Sequence, residues 1–472
     1  MDEHSAASTI DEPIVKKETK KSRINLEGSL WKEILIFVLP LMLSNFLNSI
    51  SGTISSIILG RMIGVSALAA VSAFFPVFFF LVSFIIGIGG GSSVLIGQAF
   101  GAQEWKKVKV IVGTTLTSTF LLGLLVAIPG LLFTHNLLEL TGTPADIIET
   151  SAGFARITFL AMPVLFLYNV YTTFMRGSGD STTPFYFLLI STTLNILLIP
   201  ALVVGWGFLP AMGVNGAALA NVISGLFTFV IFLIYLKKVN HPLQLDRETI
   251  RHLRIDWPTF KLLIHIGIPT SIQMVMISLA AVAVISFVNV FGSNATAAFG
   301  AVNQVVSYVQ MPAGSLGMAI SIFGAQAIGA GYNKKLNKII RTGVWMNYIL
   351  VGIFALLTYL FGRQILSLFL TDIPTLEMAY KLLTITIWSY PLFGNTNILA
   401  GIMRSSGVVL WPTLIAIFSI WGVEVPVAYI MHQKIGLEGV MFGFPAAFIA
   451  GLLLQYCYYH FIWKQKEHAR LV

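Results

Sequence analysis

The sequence predicts an all-α polytopic membrane protein, with twelve transmembrane helices in two parallel-repeat six-helix lobes around a central cleft. Three observations predict it. First, 56% of the 472 residues are hydrophobic and 10% charged, with mean hydropathy +0.84, whereas a soluble domain carries about 25% charged residues. Second, apolar windows of ~20 residues or more recur along the chain, each long enough to cross a ~30 Å hydrocarbon core. Their continuous apolarity excludes a transmembrane barrel, whose strands alternate apolar and polar residues. Third, QAFGAQEWKK at Gln98–Lys107 and QAIGAGYNKK at Gln326–Lys335 share the pattern Q-A-x-G-A-x-x-x-K-K, 228 residues apart.

The apolar windows place helices near 31–58, 66–97, 108–133, 149–175, 184–207, 213–236, 260–290, 295–327, 338–361, 376–403, 411–431 and 437–463. The second and eighth are long, which predicts tilt or extension beyond the bilayer. Residues 1–30 are polar and mixed in charge, with no apolar core, and read as a cytoplasmic tail rather than a cleavable signal. Residues 31–238 form the first lobe, 239–259 a basic cytoplasmic linker, 260–463 the second lobe and 464–472 a cytoplasmic tail. An even number of spans puts both termini on one side. With that side in the cytoplasm, only Arg61, Arg156, Arg363, Lys381 and Lys434 of the 29 Lys and Arg lie outside. The positive-inside rule is obeyed, so the net charge of +9 marks orientation rather than nucleic-acid binding. The single cysteine, Cys457, has no partner for an internal disulfide, and its apolar setting predicts a packed thiol.

The repeat extends beyond one motif. MRGSG at Met175–Gly179 meets MRSSG at Met403–Gly407, Pro163 meets Pro391, Pro184 meets Pro412 and Gly64 meets Gly292, all at an offset of 228; Pro40 and Pro269 differ by 229. Six helices per copy give both copies the same orientation, so they are related by an axis along the membrane normal. In such architectures the cavity lies between the halves, and alternating access comes from one half moving against the other, which points to transport.

Polar residues inside spans usually face a cavity or the bundle interior. On the first helix Asn45, Asn48, Gly52 and Ser55 follow helical spacing on one face; on the eighth, Asn303, Ser307, Gln310, Gly314, Gly317 and Ser321 do the same. Asn45, Asn48, Ser55, Asn195, Gln273, Asn303, Ser307 and Gln310 are the candidate cavity-lining residues, with interhelical packing as the alternative role. Glu424, in SIWGVEVPVAYI, is the one acid near the middle of a span. Burial disfavours a carboxylate's ionised form, which suits a group that takes up and releases an ion as its exposure changes. Pro426 frees a backbone carbonyl on the preceding turn. Glu424 is therefore the ion-coupling candidate, with a structural acid as the alternative. Arg176 and Arg404 read as complements to helix dipoles at cytoplasmic ends. Of the aromatic run around Pro76, most rings are expected to face lipid or core, with one or two lining a site for lipophilic cations through their faces as the alternative.

The proline early in helix one with GRMIG at its end, GQAFGA, MRGSGDSTTP, LNILLIP at Leu194–Pro200 and MGVNGAALANVIS at Met212–Ser224 together resemble the MATE (multidrug and toxic compound extrusion) family of secondary transporters. The resemblance covers about residues 31–463. It implies export of amphipathic, often cationic organic compounds, driven by an H⁺ or Na⁺ gradient through alternating access. The chain departs from the family where many members carry acids. Ser55 stands fifteen residues after Pro40 in place of an aspartate, and Ile199 stands just before Pro200. The usual first-lobe carboxylates are therefore missing, and coupling is expected to lean on the second lobe and Glu424.

A flippase for lipid-linked substrates is the alternative transporter reading; twelve spans and the absence of a deep Lys or Arg argue against it. No H-E-x-x-H or placeable Ser/His/Asp set occurs, so neither an enzyme nor a metal site is expected, and a receptor role would show no gradient-dependent flux. The expectation is a monomer in the plasma membrane that handles a small-molecule substrate and uses H⁺ or Na⁺ as its coupling ion, with no other cofactor and no nucleic acid.

Overall fold

The computed structural model describes residues 24–26, 28–206 and 210–472; most of the expected amino-terminal tail, residues 1–23 and 27, lies outside them. Among the described residues every regular element is helical. The spans are α1 (Leu30–Met62), α2 (Val65–Ala102), α3 (Trp105–Leu132), α4 (Ile148–Ser178), α5 (Thr182–Gly205), α6 (Val214–Lys238), α7 (Trp257–Asn289), α8 (Ser293–Gly329), α9 (Leu336–Leu360), α10 in two pieces (Ile373–Ile387 and Tyr390–Ser405), α11 (Leu410–Ile435) and α12 (Leu437–Trp463). Eleven are long and apolar enough to cross a bilayer unbroken. The divided α10 is the twelfth. At 1.5 Å per residue, α2 and α8 are about 55 Å long, so they tilt or project beyond a ~30 Å core, as the sequence predicts.

The break in α10 differs from the continuous window 376–403. Pro391 has no N–H to continue the ladder. The chain turns at Trp388–Ser389, where the Ser389 amide bonds to Thr386 O at 3.0 Å and its hydroxyl to the same carbonyl at 2.6 Å. The repeat-equivalent Pro163 stays inside an unbroken α4.

The two six-helix halves repeat in detail. Gly64 and Gly292 precede α2 and α8 with φ of 115° and 93°, and Gly179 and Gly407 follow α4 and α10 with φ of 98° and 80°. Each pair is 228 residues apart in the left-handed region, where glycine is the residue without a steric penalty. Short helices at Thr134–Leu140 and Gly362–Ser367 occupy matching connections. The halves meet along α1, α2, α7 and α8.

Residues 24–26 and the carboxyl-terminal residues lie at one end of the bundle, the terminal face, and there the repeated motifs meet each other. Gln98 Nε2 donates to Ser405 O at 2.7 Å, and Gln326 Nε2 donates to Gly177 O at 3.1 Å. The two bonds are the same bond under the 228-residue repeat. Gly101 and Gly329 face the backbones of Gln326 and Gln98 so closely that a Cβ on either would collide with the opposing carbonyl. The carboxyl-terminal strand lies over this seam: the Leu471 amide donates to Gln98 Oε1 at 2.8 Å, Arg470 approaches Glu104 at 3.8 Å, and Asn333 Nδ2 donates to His468 O at 3.2 Å. It leaves α12 in the second half and bonds to both halves.

The linker packs against α3. Lys109 Nζ meets Asp246 Oδ2 at 2.7 Å, and the Asp256 amide donates to Thr114 Oγ1 at 3.2 Å. Asp256 also caps α7 by accepting from the Thr259 amide at 3.1 Å. Cys457 departs from the expectation of a packed thiol: it is exposed on the outer face of α12. An apolar neighbourhood in sequence does not separate a lipid-facing position from a core one, because both are apolar.

Candidate functional site

A cavity of about 550 Å³ lies within the first half, not between the halves as the repeat predicts, and is lined by α1, α2, α4, α5 and α6. The α1 face foreseen from spacing supplies Asn48, Gly52 and Ser55 to the lining. Asn45, one turn earlier, instead points its amide to Ser315 of α8 at 3.3 Å. It belongs to the contact between halves. Asn195 of α5 lines the cavity and donates to Asn221 Oδ1 of α6 at 2.8 Å and Ser224 Oγ at 3.4 Å. From α2, Phe74, Phe75 and Phe78 form an aromatic wall, and Phe74 stacks edge-on against Phe159 with centroids 5.4 Å apart. Phe79 and Phe80 of the same run do not line it.

A polar column on α4 was not singled out from the sequence. Leu165, Asn169, Thr172 and Arg176 all line the cavity, at steps of 4, 3 and 4. That helical spacing is the signal that could have found them. Asn169 Nδ2 donates to Leu165 O at 2.8 Å, and the Thr172 hydroxyl to Asn169 O at 2.7 Å. Arg176 Nε and the Tyr168 hydroxyl are buried without hydrogen-bond partners. Ser55 and Ile199, which stand where the family resemblance leads one to look for acids, both line the cavity. Its described lining therefore contains no carboxylate, and Arg176 is its one formally charged side chain.

The second half carries the other candidates. Gln310 of α8 and Glu424 of α11 both lie near the buried Tyr390. Ser307 donates to its own helix at Gln304 O, 2.7 Å. Asn303 is exposed and Gln273 half-buried; none of these four residues lines the first-half cavity. Next to them, Asn347 Nδ2 donates to Asn395 Oδ1 at 2.9 Å and to Pro391 O at 2.8 Å, bracing the α10 break.

Glu424 is 8% exposed. It ends a π-helical turn, Ser419–Glu424, and Pro426 follows in the next turn of α11. A π turn inserts an extra residue per turn and recurs at functional positions. The turn is wedged between neighbours: Trp421 Nε1 donates to Met276 O of α7 at 3.1 Å, and the Glu424 carbonyl backs onto Gly443 of α12. The carboxylate makes no ion pair with any described residue.

A family model, MatE, matches the chain twice, over residues 40–201 and 269–430. The chain belongs to the MATE family. One MatE match falls in each half of the fold. Among the curated relatives, the probable multidrug resistance protein YoeA of Bacillus subtilis is 53% identical over 466 residues, covering 98% of this chain and 99% of the relative. The multidrug export protein MepA of Staphylococcus haemolyticus is 25% identical over 418 residues, covering 88% and 90%. A MATE crystal structure in complex with MaD3S superposes with a TM-score of 0.86 at 22% identity, covering 95% of this chain and all of that one. An outward-facing MATE transporter of the MOP superfamily gives 0.85 at 22%, covering 94% and 98%. At that identity the structures establish the fold. Together with the relatives they place this MATE chain among multi-span membrane transporters of multidrug efflux.

Proposed function

We propose that the protein is an H⁺ or Na⁺ gradient-coupled antiporter that exports small amphipathic organic compounds by alternating access between its two halves, with the terminal face in the cytoplasm. The observation that carries this reading is the separation of two sites. The first-half cavity offers aromatic surface and amides but no carboxylate, so it suits cargo and has no group to exchange a coupling ion. Glu424, buried in the second half on a π turn, supplies that group. A carboxylate there binds H⁺ or, with freed backbone carbonyls, a small cation, and its exposure changes when the halves move.

The printed names of the relatives, multidrug resistance and multidrug export proteins, support organic cargo. The aromatic wall accommodates it, and its ring faces are the feature that favours cations. The seal at the terminal face supports a state closed to the cytoplasm, and the Lys and Arg excess on that side supports the orientation.

The test is export of a fluorescent amphipath from everted vesicles under imposed H⁺ or Na⁺ gradients. Wild-type protein is expected to show gradient-dependent flux, and Glu424→Gln to lose the dependence on the gradient while still binding cargo. Full gradient-driven export by Glu424→Gln would remove the carboxylate from its proposed role. Equal flux with and without either gradient would sink the antiport reading.

A further inference from the structure

The linker between the halves is fastened to α3 along its inner edge. Beyond the Lys109–Asp246 pair, the Thr114 hydroxyl donates to Arg254 O at 3.3 Å and accepts the Asp256 amide at 3.2 Å. The His252 carbonyl sits so close to Gly113 that a Cβ there would collide with it. These contacts fix the depth of the linker. α3 begins at Trp105 near the terminal face and carries no charged residue after Lys109. Gly113 and Thr114 lie about 13 Å along it. The linker is therefore held where α3 turns wholly uncharged, the level at which a span enters the bilayer.

The outer edge of the linker has the composition of that level. Leu253, Ile255 and Trp257 are exposed, Trp257 by 71%, and Arg251, Arg254 and Lys261 flank them, exposed as well. No ion pair joins Arg247, Arg251, Arg254 or Lys261 to a described residue. Of the linker's acids, Asp246 is taken by Lys109, and Asp256 caps α7 with Arg254 beside it. That leaves Glu248 as the counter-charge to Arg247, Arg251 and Lys261. On α7 the exposed face continues without a break. Trp257, Lys261, His265, Ile268 and Ile272 follow at steps of 4, 4, 3 and 4, all exposed, and that spacing is one helix face. It points away from Leu263, Ile266 and Gly267, which meet Gly87 and Gly91 of α2.

We propose that the linker and the outer face of α7 form a docking surface for an anionic phospholipid of the adjoining leaflet. The phosphate-bearing headgroup rests on Arg251, Arg254 and Lys261, and the acyl chains run along Trp257, Ile268 and Ile272. A guanidinium presents paired N–H donors that match a phosphate, and a basic segment beside a span attracts an anionic leaflet. Lys261, one turn inside the helix, reaches back toward the headgroups while its stem covers apolar surface. Continuity selects a lipid over a soluble phosphate: the basic groups open onto an apolar stripe that runs into the span. The lipid then rests on the covalent joint between the halves, apart from both the first-half cavity and Glu424.

The experiment reconstitutes full-length protein in dioleoylphosphatidylcholine vesicles with increasing fractions of dibrominated phosphatidylglycerol or, in parallel, dibrominated phosphatidylcholine. Bromine quenches nearby tryptophan, and the difference between wild type and Trp257→Phe isolates the signal of Trp257. Half-maximal quenching of Trp257 is expected at an anionic-lipid fraction lower by on the order of tenfold, since one basic residue near a membrane surface contributes about fivefold. Replacing Arg251, Arg254 and Lys261 together by Gln brings the two curves together by weakening the anionic lipid alone. Arg251→Lys with Arg254→Lys keeps most of the difference. All three side chains are exposed, so Gln removes no buried contact. Coincident curves in wild type, or an unchanged difference in the triple Gln variant, overturn the proposal. Lys334→Gln with Lys338→Gln, exposed on the corresponding turn of the second half, is the control. If that pair abolishes the preference as fully, it reflects the general charge of the terminal face and the docking surface is refuted; an intact preference supports it. Millimolar inorganic phosphate at constant ionic strength separates the sources of the anion. Loss of the preference there assigns the arginines to a soluble phosphate and overturns the proposal, and retention supports the lipid.

Discussion

His241, at the start of the linker, shows how one neutral side chain ties that segment down. Its Nδ1 accepts the Leu243 amide at 3.2 Å, and its Nε2 is buried without a partner. Burial pushes its pKa down from 6.5 to about 4, with nearby Asp180 opposing the shift and Lys109 adding to it. A lowered folded pKa means that the folded state binds fewer protons, so the stabilising contribution is fully present above pH 6.5 and is lost as pH falls toward 4. The shift corresponds to something on the order of 3 kcal/mol. Burial also opposes ionisation of Asp246, but hydrogen bonds from Lys109 and Thr249 outweigh it and hold that carboxyl below its usual range. Its contribution goes in the same direction and at lower pH. Limited proteolysis between residues 239 and 259 is therefore expected to accelerate on acidification from pH 7 to 4.5, and His241→Gln to flatten the dependence. A wild-type linker equally resistant at both pH values would contradict this. Residue-level function was legible only where spacing and chemistry coincided. Asn48, Ser55 and Asn195 reach the cavity as their patterns indicate, while Asn45 lies one turn too early and meets α8 instead. Arg176 was read as a dipole partner, because a sequence shows which end of a helix a residue occupies but not which wall it faces.

At the scale of elements, proline sets the departures from regular helix, yet its effect depends on what surrounds it. Pro163 and Pro391 are repeat equivalents, but only Pro391 coincides with a break. There Asn347 and the Ser389 hydroxyl satisfy the local backbone groups, which is what a helix needs in order to stop inside a membrane. The sequence marks such places without showing whether the helix bends or parts. In α11 the same reasoning yields a prediction. Pro426 has no N–H to donate to the turn that holds Glu424, and the π turn absorbs the resulting mismatch. Pro426→Ala restores the donor, and collapse of the π turn into α-helix rotates one side relative to the other by about 100°. The variant is expected to keep or gain thermal stability, since a good helix former replaces a poor one, while gradient-driven export falls because the rotation moves Glu424 out of its buried position. Loss of stability with unchanged export would show that the turn is structural padding.

For the whole molecule, the repeat that was legible as Q-A-x-G-A becomes a reciprocal seal. Duplication alone indicates two like halves; that the copies of one motif bond to the copies of another across the seam emerges only in three dimensions. Gln98 and Gln326 each hold the opposite half through a backbone carbonyl, and the carboxyl-terminal strand adds a bond to Gln98 from above. Opening the terminal face must break these bonds together, so weakening them shifts the balance between the two access states rather than the fold of either half. Gly101→Ala and Gly329→Ala each put a methyl group into the opposing carbonyl of a closed seam, a clash that exists in this state alone. Ala325, fully buried and 3.0 Å from the Cβ position of Gly97 across the seam, is the reporter site. In a Cys457→Ser background, Ala325→Cys is expected to react slowly with a water-soluble thiol reagent applied from the terminal face. Adding either glycine substitution, or deleting residues 467–472, is expected to raise that rate several-fold, with the double glycine variant fastest. The order discriminates between causes: if the deletion accelerates labelling and the glycine variants do not, the terminal strand alone covers the seam. If none of them does, the reciprocal glutamine bonds do not limit access from that face.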